Sequence, residues 1–168
     1  MIRSKILLLF LFFVVANVQG QEIKSVKITE VAQFIAESKT PLIVNMWATW
    51  CKPCVEELPY FLEEVNKYNA SKGSADSLQL LLVSLDFASS FPDGIKKFAN
   101  KRKINAPIIW LDETNADYFC PKIDPKWSGA IPATLFINNK TGYRNFVEAQ
   151  ISHENLMNEI KAILKKAN

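Results

Sequence analysis

The 168 residues carry 20 Lys+Arg against 17 Asp+Glu, with 49% apolar and 22% charged side chains. That length suits one domain with its own core, and the composition excludes a disordered chain. With 5 Gly, no internal repeat and no long run of one charge, collagen-like and low-complexity architectures are excluded too.

Residues 1–20 read differently from the rest. Arg3 and Lys5 give a positive start, and "ILLLFLFFVVA" at 6–16 is an unbroken apolar run. Val18 and Gly20 stand at the −3 and −1 positions of a cut before Gln21. This is the pattern of a secretory signal peptide. The run is short of the ~20 residues that a spanning helix needs. The expected product is a single domain, residues 21–168, in the periplasm or another extracytoplasmic space. An uncleaved anchor is the alternative. The cut is not followed by Cys, so lipid attachment is not indicated. Removing residues 1–20 takes away two bases and no acid, so Lys+Arg falls from 20 to 18 against 17 acids. The remaining charge of about +1 gives no basic stripe for nucleic acid.

In chain order, "TEVAQFIAE" (29–37) predicts a short helix with Thr29 as its N-cap. "PLIVNMWA" (41–48) is an apolar run of strand formers, a buried strand. From Lys52 to Tyr68, Val55, Leu58, Leu62 and Val65 mark one helix face, with Pro59 inside as a kink. Residues 71–77 predict a loop and "LQLLLVSLDF" (78–87) a second buried strand. Pro92 opens a helix over 92–103, carrying Ile95, Phe98 and Ala99 on one side. "PIIWLD" (107–112) is a third strand. Residues 113–130, with Pro121, Pro125 and Gly129, predict irregular chain with room for a short helix at 113–119. "ATLFIN" (133–138) and "YRNFVEA" (143–149) form a hairpin around "NNKTG". Ser152 caps a last helix to about Lys165, striped by Ile151, Leu156, Ile160 and Leu164. Strands alternating with helices and ending in a hairpin imply an α/β fold. Its mixed central sheet should carry helices on both faces.

Three cysteines, Cys51, Cys54 and Cys120, are too few and too odd in number for a disulfide-stapled scaffold. A bridge across Cys51 and Cys54 closes a tiny loop and restricts the unfolded chain little. A zinc clip is disfavoured, because only Cys120 and His153 remain as ligands. With one His, Cys–His and Ser–His–Asp hydrolysis are disfavoured as well. Redox exchange fits better. Cys51 falls where a strand ends and a helix begins, so free backbone N–H groups and the helix dipole favour its thiolate. Cys54 follows one turn later, expected to be the more buried and less ionised. Lys52 and Pro53, between them, would modulate the pair, Lys52 by a modest charge. Glu57, three residues beyond Cys54, is the candidate proton relay, with an ordinary solvated glutamate as the alternative. Glu56 reads as surface. Trp47 reads as packing, and Trp50 as a shield for Cys51 that touches substrate. Trp127 is a groove residue or a loop anchor. Cys120 reads as a buried free thiol, and His153 as surface.

"WATWCKPC" at 47–54 resembles the active-site motif of the thioredoxin superfamily. "VNMWATWCKPCVEELP" at 44–59, behind an export-type N-terminus, is most similar to the TlpA/ResA-like thiol–disulfide reductases. The resemblance implies a thioredoxin fold and a redox-active Cys51–Cys54 disulfide, with no other cofactor and no metal. It implies Cys51 as nucleophile, Cys54 as resolving thiol, Glu57 as active-site acid and Pro59 as the helix-bending proline. Asn45 stands where cytosolic thioredoxins carry a buried aspartate, so the acid has moved to Glu57. Pro132 matches the family's cis proline, which would set the Ile131 backbone beside Cys51 to pair with extended substrate. The implied activity is a monomeric protein disulfide reductase. Its donor would be a membrane thiol carrier, and its clients cytochrome c apoproteins or misoxidised secreted proteins. A disulfide-donating oxidase and a redox-inactive peptide-binding module using the Pro132 groove are the alternatives. The peroxidase relatives place Thr or Ser three residues before the attacking Cys; here Ala48 precedes Cys51 at that offset.

Overall fold

The computed structural model describes residues 22–72 and 77–165. The expected signal peptide and residues 73–76 of the expected loop lie outside the described residues. Six described strands form one sheet: β1 (Lys24–Val26), β2 (Leu42–Trp47), β3 (Gln79–Ser84), β4 (Ile108–Leu111), β5 (Ala133–Asn138) and β6 (Tyr143–Val147). The described helices are α1 (Ile28–Glu37), α2 (Lys52–Lys72), α3 (Asp93–Arg102), α4 (Ala116–Ile123) and α5 (His153–Ile163).

The sheet order is β1-β4-β3-β2-β5-β6. The first four are mutually parallel, β5 runs against them, and β6, antiparallel to β5, returns to their direction. β2 is therefore central, and all six of its residues are buried. Its period-2 alternation divides the core. Ile43 and Trp47 pack with Cys54, Leu58 and Phe61 of α2, Ile95 of α3 and Leu156 of α5. Leu42, Val44 and Met46 pack on the other face with Ile28, Val31 and Ile35 of α1 and Phe119 and Ile123 of α4. Each such side chain contributes about 1.5–3 kcal/mol when fully buried. Asn45 shares the phase of Ile43 and Trp47, which aims a polar side chain into the α2 face.

Several expectations change in detail. β1 was not expected from sequence. It is three residues long with two of them exposed, so it shows no apolar run, and it is held by parallel pairing to β4. α1 starts at Ile28 with Lys27, not Thr29, as its N-cap. Glu30 accepts from the Lys27 amide at 2.8 Å, and Glu113 accepts from the Ile28 amide at 3.1 Å, so the first-turn donors need no Thr29. The 113–130 stretch, expected to be mostly irregular, contains α4 at Ala116–Ile123, displaced from the expected 113–119. α4 buries Phe119, Cys120 and Ile123 despite Pro121. α2 continues past Tyr68 to Lys72 with Pro59 inside it. Ser152 does cap α5, accepting from the Asn155 amide at 3.2 Å.

Candidate functional site

Cys51 sits in the turn between the end of β2 and the start of α2. Its amide donates to the Ala48 carbonyl at 3.1 Å, and its carbonyl accepts from Val55 at 3.0 Å, starting the helix. The Cys54 amide points back at the Cys51 sulfur from 3.4 Å, as a free N–H at a helix start should. The two sulfurs are joined at 2.01 Å. Cys54 has no exposed surface, whereas Cys51 keeps 5%. The inner and outer cysteines are thus ordered as expected, but in the oxidised form even the outer one is nearly covered. Lys52 is exposed and faces Glu56 at 3.8 Å, where solvent screens its charge.

Glu57 is fully buried, and the solvated-surface alternative is excluded. One carboxylate oxygen accepts from the Asn45 amide at 2.9 Å and the other from the Ile151 backbone at 2.8 Å. Burial pushes the Glu57 carboxyl up to about 7, against the pull of the Ile151 and Asn45 hydrogen bonds. Asn45 also donates to the Thr134 hydroxyl at 3.0 Å, and its own Oδ1 has no partner. A carboxyl that titrates near neutrality one helical turn from Cys54 can hold or release a proton beside the disulfide.

Opposite the disulfide, the Ile131–Pro132 bond is cis. The Ile131 carbonyl oxygen lies 3.8 Å from the Cys51 sulfur. Pro132 is buried and Ile131 half-buried. β2 and β5 are antiparallel neighbours, so the C-terminal end of one meets the N-terminal end of the other. That is why residues 80 positions apart adjoin.

Trp50 is 55% exposed and stacks on Phe87, itself 67% exposed, with ring centroids 5.8 Å apart. Trp47 is wholly buried, as expected for packing. Trp127 is an anchor: it is buried and its indole donates to the Ala130 carbonyl at 2.9 Å. Cys120 is free and buried, and burial pushes its thiol up to about 11. His153 stays at the surface as expected, with 41% of its side chain exposed, but it is not without partners. It stacks on Tyr60 at 4.9 Å and lies 3.0 Å from a Glu64 oxygen.

Sequence reasoning missed Asp86 and Phe87. The Asp86 carboxylate accepts from the Thr49 amide at 3.1 Å, from the Thr49 hydroxyl and from Ser84 at 2.8 Å. It so fixes the turn that carries Trp50 and Cys51. The sole sequence signal was an acid at the end of an apolar strand. A cavity of about 280 Å³ lies at the opposite end of β2, lined by residues such as Leu42, Val65, Leu78 and Pro107. None of its described lining side chains is titratable or a thiol, so it offers no chemistry of this kind.

Residues 13–142 match the AhpC/TSA family. The chain belongs to the AhpC/TSA family. Within it the chain is a ResA-like thiol–disulfide oxidoreductase with a thioredoxin fold. It is 29% identical over 155 residues to the thiol–disulfide oxidoreductase ResA of Bacillus thuringiensis (strain Al Hakam), covering 92% of this chain and 73% of that one. The thioredoxin-like protein YneN of Bacillus subtilis (strain 168) is 33% identical over 79 residues, which is 46% of this chain and 42% of that protein's length. Among solved structures, the thioredoxin-related protein from Neisseria meningitidis serogroup B superposes with a TM-score of 0.58 at 25% identity. That match covers 75% of this chain and 86% of the other.

Proposed function

We propose that this oxidoreductase works outside the cytoplasm as a reductant of protein disulfides, with Cys51 as nucleophile, Cys54 as resolving thiol and Glu57 as proton relay. The export-type N-terminus supports the compartment, and N-terminal sequencing of the mature protein should begin at Gln21. The Cys51 thiolate attacks a client disulfide, forming a mixed disulfide and expelling one client thiolate, which takes a proton from solvent. Cys54 then passes its proton to the Glu57 carboxylate and attacks the Cys51 sulfur. The Cys51–Cys54 bond forms as the second client thiolate leaves and is protonated. Two client thiols result, and a membrane thiol carrier would return the electrons. Trp50, Ile131 and Pro132 hold the client, whose backbone pairs beside Cys51. A cytochrome c apoprotein with two cysteines to be kept reduced is the client class that suits this chemistry.

The observation that carries the reading is Glu57, wholly buried yet titrating near 7, one turn from the inner cysteine. The test is a Cys54→Ala variant, which blocks resolution and should accumulate mixed disulfides through Cys51. Capture of no client thiol by this variant in intact cells would overturn the client-reduction reading. A reduction potential fixes the direction of exchange. A value near or below about −270 mV supports reduction, and one near about −120 mV assigns disulfide donation instead.

A further inference from the structure

The loop that delivers Ile131 to the disulfide is held from outside by one carboxylate. Glu148 follows β6, whose last residue, Val147, pairs with Thr134 of β5. The ladder therefore carries Glu148 alongside the start of β5. Its Oε1 accepts from the Ser128 amide at 3.0 Å, from the Ala130 amide at 3.0 Å and from the Ser128 hydroxyl. Its Oε2 accepts from the Ser128 amide at 3.2 Å. The hydroxyl of Ser128, and then the two amides, hold the Glu148 carboxyl below its usual range. The carbonyl of Ala130 is tied as well, by the Trp127 indole. Between them Gly129 takes a φ of +97°, and a Cβ there would meet Cys120 Sγ at 3.6 Å. Both backbone groups of Ala130, the residue before Ile131, are thus fixed. Three residues after Glu148, the Ile151 amide holds Glu57. One short strap thus holds both the loop before Pro132 and Glu57.

We propose that Glu148 is a positioning residue for client recognition: it holds loop 127–131 so that the Ile131 backbone stays beside Cys51, ready to pair with an extended polypeptide flanking a client disulfide. This rests on the client-binding role given above to Ile131 and Pro132. Glu148 does not reach the sulfurs, so its effect is confined to substrates that need the loop. A small disulfide meets Cys51 without it.

The test compares the reduced wild type, Glu148→Ala and Glu148→Gln. The second-order rate constant for oxidation of each is measured with a short disulfide-closed peptide and with bis(2-hydroxyethyl) disulfide. In Glu148→Ala the peptide constant should fall about tenfold while the small-disulfide constant stays within about twofold. Glu148→Gln keeps an Oε1 acceptor for both amides and the hydroxyl, and should restore the peptide constant to within about threefold of wild type. Equal losses with both substrates, or no loss with either, would overturn the inference. If wild type reduces neither substrate, the exchange reading itself fails instead. Should Glu148→Ala not fold, Ser128→Ala removes one donor to the same carboxylate. It should then lower the peptide constant selectively, in the same direction, and an unchanged ratio of the two constants would sink the proposal.

Discussion

Burial that lifts Glu57 from 4.5 to about 7 has a thermodynamic sign. Between those two values the folded chain binds more protons than the unfolded chain, so stability falls as pH rises through the window. The full difference is about 3 kcal/mol, present as stability below the lower value and lost above the upper one. Glu57→Gln abolishes this pH dependence. Its amide can donate to Asn45 Oδ1, which lacks a partner in the wild type, if the Asn45 side chain turns over. In urea titrations the variant should gain on wild type from about pH 4.5 to about pH 7 and level off above that. A constant gap across that range would contradict a buried, neutral-titrating Glu57. The same variant should slow resolution of the mixed disulfide by about a hundredfold, because the proton acceptor is gone. Stopped-flow mixing of the Cys51-linked mixed disulfide reads that step directly.

At the level of elements, α5 matters to the site through its first turn. Ser152 caps it, and the preceding residue, Ile151, supplies the amide that holds Glu57. Ser152→Ala should cost about 1 kcal/mol in urea unfolding through the lost cap. A larger loss would mean that the strap and Glu57 loosen with it. The elements most plainly written in the sequence are those whose stabilisation is local and apolar. β2 and β5 are short runs of mainly apolar strand formers, and α2 carries a 3–4 spacing of Val55, Leu58, Leu62 and Val65. β1 and α4 were missed or misplaced because their partners are distant. β1 pairs with β4, some 85 residues away, and α4 accommodates Pro121 by burying Phe119 and Ile123 under the sheet. The site divides in the same way. Cys51, Cys54 and Glu57 stand within seven residues and share a recognisable motif, so they were legible. Asp86, Phe87 and Glu148 act on the site from other elements by hydrogen bonding and ring stacking. No spacing in the sequence encodes those contacts.

For the molecule as a whole, the disulfide is not what keeps the chain folded. Two apolar clusters on opposite faces of the sheet do that. A bridge spanning three positions removes little entropy from the unfolded chain, about 2 kcal/mol at most in the chain-entropy account. Urea unfolding with and without a dithiol reductant should therefore show cooperative transitions whose stabilities differ by no more than about 2 kcal/mol. Loss of cooperative unfolding on reduction would refute that division of labour.

The antiparallel seam between β2 and β5 sets an order in time. The two thiols leave the ribosome about eighty residues ahead of Pro132, and further still ahead of Ile151. Until β5 slots in beside β2, the nascent chain owns a reactive pair with no cradle for a client and no amide to steady Glu57. Competence is therefore born late, from the carboxy-terminal third closing over work begun near the amino terminus, and a chain halted before β5 would be chemically awake but blind.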